Sequence, residues 1–160
     1  MTKPYSNAYY ESLPKKRMGA GCLFFNKRNE VLLVKPTYKP GWEIPGGVVE
    51  DNESPKQCCQ REVLEELGLD RQIGRLLVLD YNHPNGPKIE SLMFVFDGGT
   101  LSETDIAAIK LPAAELSEFS FFRSDALPKA MTATLKSRVL AAWQQYDHGQ
   151  AIYLEDQQSV

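Results

Sequence analysis

The chain has 160 residues, enough for one domain with a real core and too few for two comfortable ones. An apolar share of 42% and a charged share of 24% describe an ordinary globular protein, and neither an internal repeat nor a low-complexity tract interrupts it. A net charge of −3 and a pI near 5.5 exclude a general electrostatic attraction to nucleic acid or to an anionic membrane.

Residues 1–16 are polar and aromatic with two prolines, and predict an irregular lead-in arm with no apolar stretch of a secretory kind. Met18 to Asn26 predicts a strand, Lys27 to Glu30 a turn, and Val31 to Lys35 the second arm of a hairpin. The segment from Pro36 to Pro45 carries three prolines and Gly41, so it predicts a substrate-facing loop that ends in a short strand over 42–44. Trp42 in that loop is a candidate for stacking on a base, although an aromatic beside a core strand more often packs inward, which is the preferred reading.

The stretch from Gly46 to Leu69 then gathers a glycine turn, a lone acid, a proline-started helix and three carboxylates on that helix. Ser54 can cap, Pro55 suits the first helical position, Gln57 can complete a capping box, and Gly68 can close the end, which predicts a helix over 55–67. At about 100° per residue, Cys59, Val63 and Leu67 form an apolar stripe. Glu62, Glu65 and Glu66 fall at i, i+3 and i+4 beside it. Like charges stacked this way destabilise an isolated helix. With Glu53 just ahead of them, they can make a place for a hard divalent cation, which prefers oxygen ligands, although three such acids alone more often form an ordinary solvated face.

Beyond the helix, Ile73 to Tyr81 predicts a strand, 83–87 a turn, and Ile89 to Asp97 an internal strand that Gly98-Gly99 breaks. Residues 101–111 are open between loop and short helix, and Leu116 to Phe122 predicts a short or edge strand. Pro128 predicts the start of a second amphipathic helix, with Met131, Leu135, Val139, Ala142, Trp143 and Tyr146 on one stripe, ending before Gly149. The tail over 150–160 has an apolar patch at 151–154 that can dock on the domain or on a partner subunit. Strands around two helices predict an α/β fold, a mixed sheet with a helix on each face.

The cysteines, Cys22, Cys58 and Cys59, are odd in number and two are adjacent. A disulfide framework is not expected, which fits a reducing cytoplasm. Small apolar packing explains Cys58 and Cys59 better than zinc, since His83 and His148 lie far off in sequence. No apolar run reaches the ~18 residues of a membrane span.

Gly47, five residues, Glu53, seven residues, Arg61, Glu62, Val63, one residue, Glu65, Glu66, one residue, Gly68 and Leu69 make a gapped pattern of nine fixed or aliphatic positions. In this the chain resembles the Nudix hydrolases, whose motif is complete here; chance seldom fills so many positions. The resemblance implies an α/β/α sandwich, with an arm over 1–16, a Nudix domain over 17–149 and a tail over 150–160. It implies hydrolysis of a pyrophosphate bond in a nucleoside diphosphate linked to another group. Glu62, Glu65 and Glu66 would be metal ligands, with Glu66 the least dispensable. Gly47 would offer its carbonyl to the metal. Arg61 would orient Glu53. The implied cofactor is Mg²⁺, with Mn²⁺ as a substitute.

Glu62 and Glu65 are also candidates for activating water. Glu115 and Glu118 are outside candidates, better read as surface acids. Asn52 stands where glycine is common and Leu67 where threonine is. The signatures of coenzyme A and NADH pyrophosphatases are absent. Pro84, 15 residues beyond Leu69, resembles the placement in ADP-ribose pyrophosphatases, and nucleoside triphosphate sanitisation stands next. The expected partner is a nucleotide-type small molecule, without membrane or nucleic acid; the family's habit admits a homodimer. The competing reading is a nucleotide-sensing or protein-interaction module without turnover, which commonly lacks motif acids that this chain retains.

Overall fold

A computed structural model describes residues 5–160, and the start of the expected arm at 1–4 lies outside it. Among the described residues eight strands form one mixed sheet: β1 (Arg17–Phe25), β2 (Val31–Pro36), β3 (Gly46–Val48), β4 (Leu76–Asn82), β5 (Ser91–Thr100), β6 (Leu116–Phe122), β7 (Ile152–Glu155) and β8 (Gln158–Ser159). Their order is β6-β2-β1-β5-β4-β7-β8, with β3 laid beside the first half of β1. The pairs β1–β5 and β4–β7 are parallel, and the others antiparallel.

Helices cover both faces, as the sequence predicts. Alternation along β1 divides the core between them. Ala20, Cys22 and Phe24 pack with Cys59, Val63 and Leu67 of α2 (Pro55–Leu67), while Leu23 and Phe25 pack with Leu135, Val139 and Trp143 of α4 (Ala133–His148). Trp143 meets Phe25 edge-on, with ring centres 5.0 Å apart. β5, apolar on both sides, lies inside the sheet between β1 and β4. Two short helices complete the fold, α1 (Asn7–Ser12) and α3 (Glu103–Ala108). No helix among the described residues is long and apolar enough to cross a membrane.

Several local expectations change. The arm is not wholly irregular: Ser6 caps α1, and Tyr5 stacks on Tyr9 at 4.2 Å. The short strand expected over 42–44 is a single bridge, Val34 to Glu43, because Pro40 and Pro45 close the segment at both ends. The strand forms instead at 46–48. Ile73 is buried, but regular pairing of β4 begins only at Leu76.

Gly98 and Gly99 do not break β5. They serve a bulge opposite the Leu23/Phe24 step of β1, where a Cβ on Gly98 would lie 2.5 Å from the Phe24 ring and Gly99 takes φ +76°. The second long helix starts at Ala133 rather than Pro128, because Thr132 is the residue whose side chain caps it. At its other end Arg75 donates to the carbonyls of Gln145 and Tyr146 at 2.6 and 3.0 Å. Within residues 101–111 the helix α3 forms, opened by a Ser102–Asp105 capping box. The apolar patch of the tail becomes β7 and joins the chain's own sheet.

Within the sheet, β4 carries a charge where the sequence reads as apolar. Asp80 is fully buried and receives Arg138 of α4 at 2.7 and 2.8 Å. Arg138 also donates to Asn82 Oδ1 at 3.1 Å, and Gln157 donates to Asp80 from its backbone and from its side chain, both at 3.0 Å. Removing one member of a buried pair strands the other charge. Arg138→Met should therefore lower stability by about 3–5 kcal/mol, read as a fall in the urea midpoint. Asp80→Leu added to it should recover part of the loss. A midpoint equal to wild type in Arg138→Met would show that the pair contributes nothing.

Candidate active site

The carboxylates converge where β3 is wedged between β1 and α2. Gly46, at φ +148°, lies so near β1 that a Cβ there would sit 2.2 Å from the Ala20 carbonyl oxygen. A Cβ on Gly47 would sit 2.1 Å from Glu62 Oε1. Gly46 needs a residue without a side chain, whereas a side chain at Gly47 would turn the Glu62 carboxylate aside. The turn leading to α2 passes through Asn52 at φ +61°, a conformation asparagine tolerates. The helix itself starts on a reciprocal Ser54–Gln57 capping box and closes at Gly68, φ +69°.

Arg61 sits at the centre of the acids. It grips Glu53 with two bonds, Nε to Oε1 at 2.8 Å and Nη2 to Oε2 at 3.0 Å, and reaches Glu62 at 2.8 Å and Glu65 at 3.0 Å. Its hydrogen bonds hold the Glu53 carboxyl down at about 2. Glu66 turns the other way and accepts the Gly46 N–H at 2.9 Å. Burial pushes Glu66 up to about 7, helped by the negative charges of Glu62, Glu115 and Glu43. Burial also raises Glu62.

Glu115 thus stands within electrostatic reach of the site, while Glu118 on β6 pairs with Lys35 at 3.3 Å. Cys58 points its thiol at the Val48 carbonyl, 3.4 Å away; burial, then Glu53, push it up to about 12, so it stays protonated.

The donor set suits one kind of ion. It consists of carboxylates and backbone carbonyls, all hard oxygens, and Gly47 leaves the room a side chain would fill beside Glu62. No cluster of three acidic, histidine or cysteine side chains among the described residues forms a complete cage. Glu62 and Glu65 instead turn to Arg61, the nearest cation. Such a set fits magnesium, which keeps several waters and takes only one or two carboxylates from the protein.

Beside this cluster opens a cleft of about 840 Å³. Gly19, Gly21 and Met93 contribute to its floor, and Gly46 to Val48 form the end nearest the acids. Tyr38 and Lys39 line one side, His83 to Asn85 another, and Asn82, Arg138 and Gln157 also line it. Trp42, weighed above as a base-stacking platform, packs edge-on against Phe122 at 5.0 Å and does not line the cleft. The loop's exposed aromatic is Tyr38, which the sequence reading passed over. It also passed over Asp80 and Arg138. An acid inside an apolar strand and a base between Leu135 and Val139 on an apolar stripe were the signals for them.

The raised Glu66 has a consequence for metal-free stability. Below pH 4.5 the carboxyl is protonated in both folded and unfolded chains and costs nothing. As pH rises from 4.5 through about 7, the unfolded chain ionises first and the fold loses up to about 3 kcal/mol. Glu66→Gln keeps an acceptor for Gly46 and lacks that charge. In EDTA its melting temperature should match wild type at pH 4.5 and exceed it at pH 8, by ~2–4 °C per kcal/mol. A fall at both pH values would make Glu66 a structural carboxylate.

A family model described as the NUDIX domain matches residues 15–144. The human diphosphoinositol polyphosphate phosphohydrolase 3-alpha is 37% identical over 82 residues, covering 51% of this chain and 49% of that protein. The rat diphosphoinositol polyphosphate phosphohydrolase 2 is 44% identical over 64 residues, covering 39% and 36%. The chain therefore spans about half, or less, of the length of these curated relatives. Among solved structures, a UDP-X diphosphatase superposes with a TM-score of 0.72 at 22% identity, over 96% of this chain and 76% of that one. An ADP-ribose pyrophosphatase from Streptococcus suis gives 0.62 at 22%, over 88% and 99%. At these identities the likeness shows the fold alone. With the matched domain spanning most of the chain over a complete motif, the chain belongs to the Nudix hydrolase family.

Proposed function

We propose that the chain is a magnesium-dependent pyrophosphohydrolase, with manganese as a working substitute, that cleaves a nucleoside diphosphate linked to a second moiety. One observation carries the reading: Gly46 and Gly47, which lie against Glu66 and Glu62, also line a cleft of nucleotide size. A divalent cation held there would offset the negative charge of the diphosphate and acidify water for attack on phosphorus.

The chain's own part is positional. Glu62, Glu65 and Glu66 would hold the ion, with the Gly47 carbonyl beside them. Arg61, anchored on Glu53, would keep Glu62 and Glu65 in register as substrate enters, and exchange those bonds for the ion's. Glu62 and Glu65 are the candidates to take the proton from water, with Glu115 behind them.

An ADP-ribose-like substrate is preferred. The named Streptococcus suis enzyme shares the fold, and Pro84 lines the cleft beside His83 and Asn85. Nucleoside triphosphates stand next. A cytoplasmic setting accords with three free, buried cysteines. The sensor reading finds less support, because the motif acids are all in place.

Release of AMP or phosphate should be measured with Mg²⁺ and with EDTA on ADP-ribose, nucleotide sugars, NADH, dinucleoside polyphosphates and nucleoside triphosphates. Magnesium-dependent cleavage of at least one is expected. Glu66→Gln should lower it by two or more orders of magnitude, about the contribution of a positioned catalytic group. Binding without turnover across the panel would replace the enzyme with a sensor.

A further inference from the structure

Asp156 and Gln157 form the two-residue turn between β7 and β8, and both have left-handed backbone, at φ +47° and +64°. Two-residue hairpins need that geometry and usually place glycine second. Glutamine is strained there relative to glycine, so its side chain must serve some end. Part of that end is visible: Nε2 donates to Asp80 Oδ2 at 3.0 Å and to Asn82 Oδ1 at 2.8 Å.

The same network fixes which way each amide faces. Arg138 can only donate and the Asp80 carboxylate can only accept. Asn82 must therefore turn Oδ1 toward Arg138 and Gln157, and Gln157 must turn its nitrogen toward Asp80 and Asn82. The Gln157 carbonyl oxygen is left facing away, with no donor from the protein among the described residues. Every buried side-chain nitrogen or oxygen described has a partner, so this oxygen is accessible, and Gln157 lines the cleft. A neutral carbonyl cannot bind phosphate; it takes an O–H or N–H.

Its distance from the acids is set by the sheet. Asp80, Met93, Gly19 and Val48 are register partners across β4, β5, β1 and β3. Three strand spacings put the network roughly 14 Å from β3, a span suited to the nucleoside rather than the scissile diphosphate.

We propose that Gln157 is a specificity-determining residue whose side-chain carbonyl accepts a hydrogen bond from a hydroxyl or amino group on the nucleoside part of the substrate. Asp80, Asn82 and Arg138 are its positioning residues. This rests on the reading of the cleft as a nucleotide site. A site built around such a bond discriminates against analogues that lack the donor.

The test is equilibrium binding with Mg²⁺, using Glu66→Gln protein to suppress turnover, with Gln157 intact or replaced. The ligands are the adenosine nucleotide of the panel that binds tightest, its deoxyribose analogue and its hypoxanthine analogue. Gln157→Gly suits the strained turn and removes the carbonyl; Gln157→Lys keeps a donor for Asp80 but has no acceptor.

With Gln157 intact, the parent should bind about three- to tenfold more tightly than one analogue. The deoxyribose analogue assigns the hydroxyl, and the hypoxanthine analogue the amino group. Both replacements should weaken the parent by that factor and leave that analogue unchanged. Equal weakening of all three ligands, full discrimination in Gln157→Lys, or no nucleotide binding by the chain with Glu66 intact would overturn the proposal. Discrimination by Gln157 in a chain whose wild type binds but never hydrolyses would retain it and remove only the hydrolase reading.

Discussion

The site depends on how closely β3 approaches its neighbours. At Gly46 the backbone passes within a distance of the Ala20 carbonyl that no other residue could allow, and at Gly47 it lies against the Glu62 carboxylate. That contact lets one short strand touch the sheet on one side and the acidic helix on the other. The Gly46 amide then reaches Glu66, and the Gly47 Cα lies against the Glu62 carboxylate. A side chain at Gly46 would push β3 off β1, and one at Gly47 would displace the Glu62 carboxylate.

Given that approach, the electrostatics follow. Crowding acids into a partly buried corner raises Glu62 and Glu66, while Arg61 takes up the charge of Glu53. The corner is held in opposite senses, by a guanidinium that favours ionised acids and by burial that opposes them. Such a site is poised for an incoming cation, which replaces one positive charge with another and relieves the burial penalty. Stability and function pull apart here, as they commonly do where charge is concentrated.

The acidic corner was legible because it is local. Cap, proline, acids and closing glycine lie within 23 consecutive residues, and helical spacing alone places the carboxylates together. The cleft was not, because its walls come from the 38–40 loop, β5, the 83–85 turn, α4 and the C-terminal hairpin, which only the sheet brings together. Gly98 and Gly99 read as a break because the reason for Gly98 lies across the sheet, in Phe24 and Cys22, and that for Gly99 in its left-handed backbone. Trp42 shows the opposite case: packing, the commoner fate of such an aromatic, was the preferred reading and is what the fold displays.

The long reach of the Asp80 network bears on how the domain assembles. Asp80 is separated by 58 residues from Arg138 and by 77 from Gln157. During synthesis the acidic corner can form as soon as β1, β3 and α2 have emerged, whereas β4 follows them and brings Asp80 before its counter-charge exists. Burying it must wait for α4, and completing its bonds must wait for the last hairpin. Long-range closure of this kind is slow relative to local helix formation. The order of events therefore separates the two halves of the site in time. The charged corner is early and local, whereas the wall that holds Gln157 belongs to the final step, so a partly made chain has the acids without the cleft that would select a ligand for them.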